Sequence, residues 1–146
     1  MTRPALVPEL YVSNLEASLA FYVEVLGFRI EYDRPEERFA ALSLAGAHLM
    51  LEEASSLERA TAEEFAAGQW RPAALERPFG RGLNLEIEVE DIETPAVRLV
   101  ASGLPMLLPP HDRAYRVGNL QKVVRQFLVA DPDGYLIRLS KPKTQS

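Results

Sequence analysis

The chain has no cysteine. Disulfides, thiol nucleophiles and cysteine-ligated zinc are therefore excluded. Histidine is scarce: His48 and His111 are the only two, so a histidine-rich metal centre has few ligands to draw on. Tryptophan occurs once, as Trp70. No apolar run approaches the roughly 20 residues of a bilayer-spanning helix. The opening MTRPALVPEL has neither the apolar core nor the small-residue cleavage site of a secretion signal. Basic residues are not in excess either, since 16 Lys and Arg against 21 Asp and Glu leave a net charge of −5. That is the wrong sign for a nucleic-acid partner and the right one for a cationic ligand. These absences lead us to expect a soluble cytoplasmic protein with no nucleic-acid or membrane partner. Catalytic signatures are missing too. There is no G-x-S-x-G elbow, and Gly80-Arg81-Gly82 lacks both a third glycine at dinucleotide spacing and a following G-K-[ST]. Asp131-Pro132-Asp133-Gly134 lacks the spaced acids of a calcium loop.

What is present is a repeat. At 146 residues the chain is sized for one domain, or two small halves sharing a core. Residues 7–12 alternate as a strand does. Ser13 or Asn14, the latter favoured by its place just before Leu15, caps a helix whose apolar residues Leu15, Leu19, Tyr22, Val23 and Leu26 recur at helical spacing, and Gly27 ends it. Strands follow at 28–32, 39–44 and 48–53. Residues 83–89, LNLEIEV, alternate strictly. Asp91 then caps a second helix, Gly103 ends it, and apolar segments at 106–108, 114–117, 123–130 and 135–140 supply the remaining strands. The last two flank Asp131-Pro132-Asp133-Gly134, whose proline and glycine suit the inner positions of a tight turn. Val12-Ser13-Asn14-Leu15 corresponds to Val89-Glu90-Asp91-Ile92, and Leu26-Gly27-Phe28 to Ser102-Gly103-Leu104. The chain thus reads β-α-β-β-β twice. The first module is 5–54 and the second 82–142. The linker 55–81 holds a short helical stretch at 58–67 and Trp70; a connection this long joins two halves, covers a site, or does both.

The run NLEASLAFYVEVLGF, the EDI of the second helix start and the closing RQFLVADPDGYLIRL resemble the vicinal oxygen chelate superfamily, which contains glyoxalase I, extradiol dioxygenases and bleomycin resistance proteins. The likeness is greatest to the bleomycin-resistance-like branch. The resemblance implies an α+β fold. Two βαβββ modules form mixed sheets that curve around an open cup, with the helices outside and homodimers common. It also implies where enzymes of this superfamily would hold a divalent metal: Val7, Glu52 (or Met50 if the register slips), Asn84 and Arg138. Valine has no donor atom, asparagine is a poor ligand and arginine is a cation, so only Glu52 suits a metal. His48 and Glu52 share a strand face but lie about 13 Å apart at roughly 3.3 Å per residue.

Strand parity gives a second route to the site. The residues facing the cup are Val7, Glu9 and Tyr11; His48, Met50 and Glu52; Asn84, Glu86 and Glu88; Arg138 and Ser140. Four glutamates against one arginine, with Tyr11 and Met50 for apolar contact and Trp70 placed to close over the top if the linker folds back, suit an organic cation. Arg138 is expected to pair with one of the glutamates. The expectation is a non-catalytic homodimer that needs no cofactor and sequesters a cationic or aromatic small molecule, such as a bleomycin-type antibiotic. Its ligand contacts are Glu9, Tyr11, His48, Met50, Glu52, Trp70, Asn84, Glu86 and Arg138. The alternative is a divalent-metal-dependent lyase, isomerase or dioxygenase built on Glu52.

Overall fold

The computed structural model describes residues 3–143. Eight strands form two four-stranded mixed sheets. In the first, β1 (Glu9–Val12) runs parallel to β4 (Ala47–Glu53), and β3 (Phe39–Leu44) and β2 (Arg29–Arg34) complete the order β1-β4-β3-β2. In the second, β5 (Asn84–Glu88) runs parallel to β8 (Leu136–Pro142), followed by β7 (Leu120–Ala130) and β6 (Met106–Val117). The order is the same in both, as the repeat requires.

The two modules use the same local devices. Asn14 is extended, and its side chain accepts from the Ala17 amide to start α1 (Leu15–Leu19), which continues as a π-helical stretch over Ala20–Leu26. Asp91 accepts from the Glu93 and Thr94 amides at 3.1 Å ahead of α3 (Glu93–Ser102). Gly27 and Gly103 close the two helices in the left-handed conformation that only glycine adopts without strain. The segments 106–108 and 114–117 prove to be parts of one long strand, β6. Pro109 and Pro110 sit where the β6–β7 register shifts between Leu108 and His111, and the strand tolerates them because β6 is an edge strand with one side free of ladder bonds.

Strand alternation places Leu10, Val12, Leu49 and Leu51 from the first sheet, and Ile87, Val129, Ile137 and Leu139 from the second, in one continuous core with the helix residues Leu15, Phe21, Tyr22, Leu26, Ala96 and Leu99. Each such side chain contributes about 1.5 to 3 kcal/mol by leaving water. The opposite face of each sheet carries the polar set.

The turn between β7 and β8 does more than reverse the chain. Asp131 and Asp133 are buried. Asp131 accepts from the Tyr22 hydroxyl at 2.7 Å and from the amides of Asp133 and Tyr135 at 2.9 Å. Asp133 accepts from the Ser13 amide at 2.9 Å, the Ser13 hydroxyl at 2.6 Å and Arg77 at 3.0 Å. The Tyr135 hydroxyl donates to the Tyr11 carbonyl at 2.9 Å. The second module's hairpin is therefore pinned to the strand-helix corner of the first.

The linker is ordered around a buried cation. Arg71 is fully buried; it pairs with Glu64 at 2.9 Å and donates to Gln69 Oε1 at 2.6 Å and the Glu58 carbonyl at 2.8 Å. The short helix α2 (Ala62–Ala66) carries a reciprocal Thr61–Glu64 capping box. It is shorter than the apolar spacing at 58–67 suggests.

Candidate functional site

The polar faces form two walls, one per sheet. Among the described residues, no hydrogen bond or ion pair joins the sequence-derived set of the first wall to that of the second.

On the first wall, the parallel ladder sets Glu9 beside Met50 and Tyr11 beside Glu52. Glu9 and Glu52 become diagonal neighbours on one face. Burial pushes the Glu52 carboxyl up to about 7, and the charge of Glu9 and a hydrogen bond shared with it add to the effect. The Tyr11 hydroxyl donates to the Gly68 carbonyl at 3.0 Å and accepts from the Trp70 amide at 2.6 Å. The linker thus folds back onto this wall. The Trp70 ring itself is 60% exposed, so the linker backbone, and not the indole, makes the contact. Burial raises the Tyr11 phenol above its ordinary value, opposed by the Trp70 amide and supported by the charges of Glu52 and Glu9. Met50 lies between Glu9 and Ala41, and His48 lies opposite Ser43. Val7, His48 and Met50 line a small cleft with Tyr32.

Sequence parity misses the aromatic part of this wall. Phe39 lies opposite Glu52, Tyr32 packs against Phe39 with ring centres 6.0 Å apart, and the Arg34 guanidinium sits 4.0 Å from the Phe39 ring centre. Two things hide them. β3 is buried at nearly every position, so it shows no alternation, and β2 is irregular between Ile30 and Tyr32, which shifts its register against β3.

On the second wall, Glu86 lies directly opposite Arg138 in the parallel ladder, and their side chains meet at 3.4 Å. Asn84 faces Leu136, and Glu88 faces Ser140. Arg138 also donates to the Tyr115 hydroxyl at 3.3 Å and to Gln126 Oε1 at 3.5 Å. Gln126 is 3% exposed and donates to Tyr115 Oη at 2.8 Å. His111, in a segment whose prolines suggest a loop, lies within β6 and contacts Gln126 through Nε2 at 3.3 Å. Asn84, His111, Tyr115, Gln126 and Arg138 line a cavity of about 230 Å³. The turn at Asp131–Gly134 sets β7 beside β8, but nothing in the sequence fixes the register that brings Gln126 and, from β6, Tyr115 to Arg138.

The four positions at which enzymes of the resembled superfamily hold a metal do not come together as a donor set. Val7 and Glu52 belong to the first wall, Asn84 and Arg138 to the second. Among the described residues, no group of three or more histidine, aspartate or glutamate side chains is placed to hold an ion. A divalent metal does not fit these residues: one side chain has no donor, one is a cation, and the single carboxylate is engaged with Glu9.

Residues 5–139 match the family model of the Glyoxalase/Bleomycin resistance protein/Dioxygenase superfamily. The chain belongs to this superfamily. A superfamily member from Vibrio splendidus 12B01 is 33% identical, over 92% of this chain and 95% of that one, with a TM-score of 0.39. A glyoxalase/bleomycin resistance protein/dioxygenase from Nocardioides is 25% identical over 100% of this chain and 88% of its own, with a TM-score of 0.64. Lactoylglutathione lyase from Agrobacterium tumefaciens is 19% identical over 94% and 92% of the two chains, with a TM-score of 0.57, a likeness of fold alone. No curated protein matches the chain. Among the described residues, no helix is long and apolar enough to cross a membrane.

Proposed function

We propose that this superfamily member binds a cationic, aromatic small molecule without transforming it, as a cytoplasmic homodimer that uses no cofactor, in the manner of the bleomycin-resistance branch. One observation carries the reading. Burial and the neighbouring Glu9 push Glu52, the one carboxylate at a superfamily metal position, up to about 7, and it lies beside Tyr11, Tyr32 and Phe39. A ligand cation entering this wall replaces the proton held on Glu52 and meets two carboxylates, while the exposed Tyr32 ring stacks on its aromatic part. His48 and Met50 extend the contact along β4. On the second wall, Asn84, Glu86 and Arg138 supply the polar groups for the far end of a large ligand. Trp70 stands at the edge of the first wall as a reporter.

The test is a calorimetric titration with metal-free bleomycin and with benzamidine as a minimal aromatic cation. Saturable binding that weakens with salt and is lost in the Glu9→Gln/Glu52→Gln double variant supports the proposal. Tightly bound divalent metal at one per chain in tag-free protein, with turnover of a glutathione adduct or a catechol, refutes it.

The enzyme alternative draws on one feature, the Glu52 carboxyl held at about 7. A carboxyl poised there exchanges a proton readily at neutral pH. A metal-dependent form of that chemistry needs about three protein ligands, which this donor set does not supply. Because one fold serves many functions in such superfamilies, the fold favours neither reading.

A further inference from the structure

The second wall has more hydrogen-bond donors than acceptors. Arg138 carries five N–H groups. Its contacts to Tyr115, Gln126 and Glu86 are all long, at 3.3, 3.5 and 3.4 Å, whereas a well-made charged hydrogen bond is about 2.7 to 2.9 Å. Its Nε is buried and has no partner among the described residues. The Tyr115 hydroxyl accepts from both Gln126 and Arg138, and among the described residues nothing accepts its proton. Gln126 spends its amide donors on Tyr115 and His111. His111 Nδ1 lies 2.8 Å from the Pro109 carbonyl, so the proton belongs on Nδ1 and Nε2 is the acceptor. Arg113 adds a second cation, 5.2 Å from the Tyr115 ring centre. The carboxylate that meets the guanidinium is Glu86, at 3.4 Å, and its side chain is 45% exposed.

We infer that this cavity is a binding site for the carboxylate of a small organic acid, with the Arg138 guanidinium and the Tyr115 hydroxyl as donors and Glu86 as the internal carboxylate that the ligand displaces. The planar fork of arginine matches a carboxylate in a way that a lysine would not. The walls name the rest of the ligand: Leu108, Leu128 and Leu136 line the same cavity, so the acid carries an apolar body. At about 230 Å³ the space suits a ring or short chain and is smaller than the roughly 300 Å³ at which drug-sized sites begin. This site lies on the other sheet from Glu9 and Glu52; it draws on Asn84, Glu86 and Arg138, which the cation-binding reading uses for the far end of its ligand, but its probe carries no positive charge, so each reading fails or stands on its own test.

The experiment is titration with benzoate, followed by calorimetry and by the Arg138 Nε–H resonance, with benzamide as the neutral control and inorganic phosphate as the competing oxyanion. Saturable benzoate binding that shifts the Nε–H resonance, with benzamide and phosphate at least about ten-fold weaker, supports the site. Arg138→Met lowers benzoate affinity by about ten-fold or more, and Tyr115→Phe lowers it by about three-fold or more. Glu86→Gln does the reverse and raises affinity by about two- to five-fold, because it removes the competing carboxylate from a solvent-exposed ion pair. That change of sign separates ligand binding from a structural role for Arg138 and does not depend on whether Arg138→Met folds. Absence of saturable binding, benzamide as tight as benzoate, or weaker binding in Glu86→Gln each overturns the inference. Phosphate as tight as benzoate overturns the carboxylate assignment.

Discussion

The carboxyl pair on the first sheet makes stability depend on pH in a direction opposite to that of an ordinary surface glutamate. Burial, reinforced by Glu9, lifts the Glu52 carboxyl from 4.5 to about 7. Between those values the folded chain keeps a proton that the unfolded chain has already released. Folding stability on this group's account is therefore greatest below about pH 4.5, falls as the pH rises through 7, and is level above that. A displacement of this size would be worth about 3 kcal/mol for a dry carboxyl. Glu52 is only partly buried, and solvent screening lowers the expectation to about 1 to 2 kcal/mol. Glu52→Gln removes the titration and keeps the shape. Urea denaturation should find the variant about 1 to 2 kcal/mol more stable than the parent at pH 8, equal to it at pH 4, and unchanged in the denaturant slope. A variant whose stability difference from the parent is the same at both pH values, or which loses stability at pH 8, would refute the account of a Glu52 carboxyl raised by burial and by Glu9.

Gly134 has φ near +99°, and a Cβ there would fall 2.6 Å from the Pro78 Cα. Gly134→Ala should cost at least about 2 kcal/mol in urea denaturation, from backbone strain and from displacement of the segment before Phe79. Tyr11→Phe removes both hydrogen bonds that hold the linker. Limited proteolysis should then cut the linker about ten-fold faster, with a loss of global stability of only about 1 kcal/mol. Arg71→Met leaves Glu64 without its cation and the surrounding acceptors unfilled. It should loosen the linker, read by hydrogen exchange at residues 55–75, while the sheets keep their protection.

The resemblance, the repeat and the caps were all readable in the chain because each rests on neighbours in sequence. Asn14 and Asp91 meet amides two or three residues on, Gly27 and Gly103 end their helices locally, and strand alternation sorts apolar from polar residues without knowledge of any partner. Partnership is a different matter. Glu9 and Glu52 are 43 positions apart in the sequence, and only the parallel β1–β4 ladder makes them neighbours. Arg138 reads as a lone cation until β7 and β6 bring Gln126, Tyr115 and His111 around it. The Asp131–Gly134 segment reads as a turn, and a turn it is. Its burial against Ser13 and Tyr22 follows from how the two modules pack. Alternation and capping determine which face a side chain takes. The charge or donor it meets on that face is set by strand order and register, which arise only when distant segments share one core.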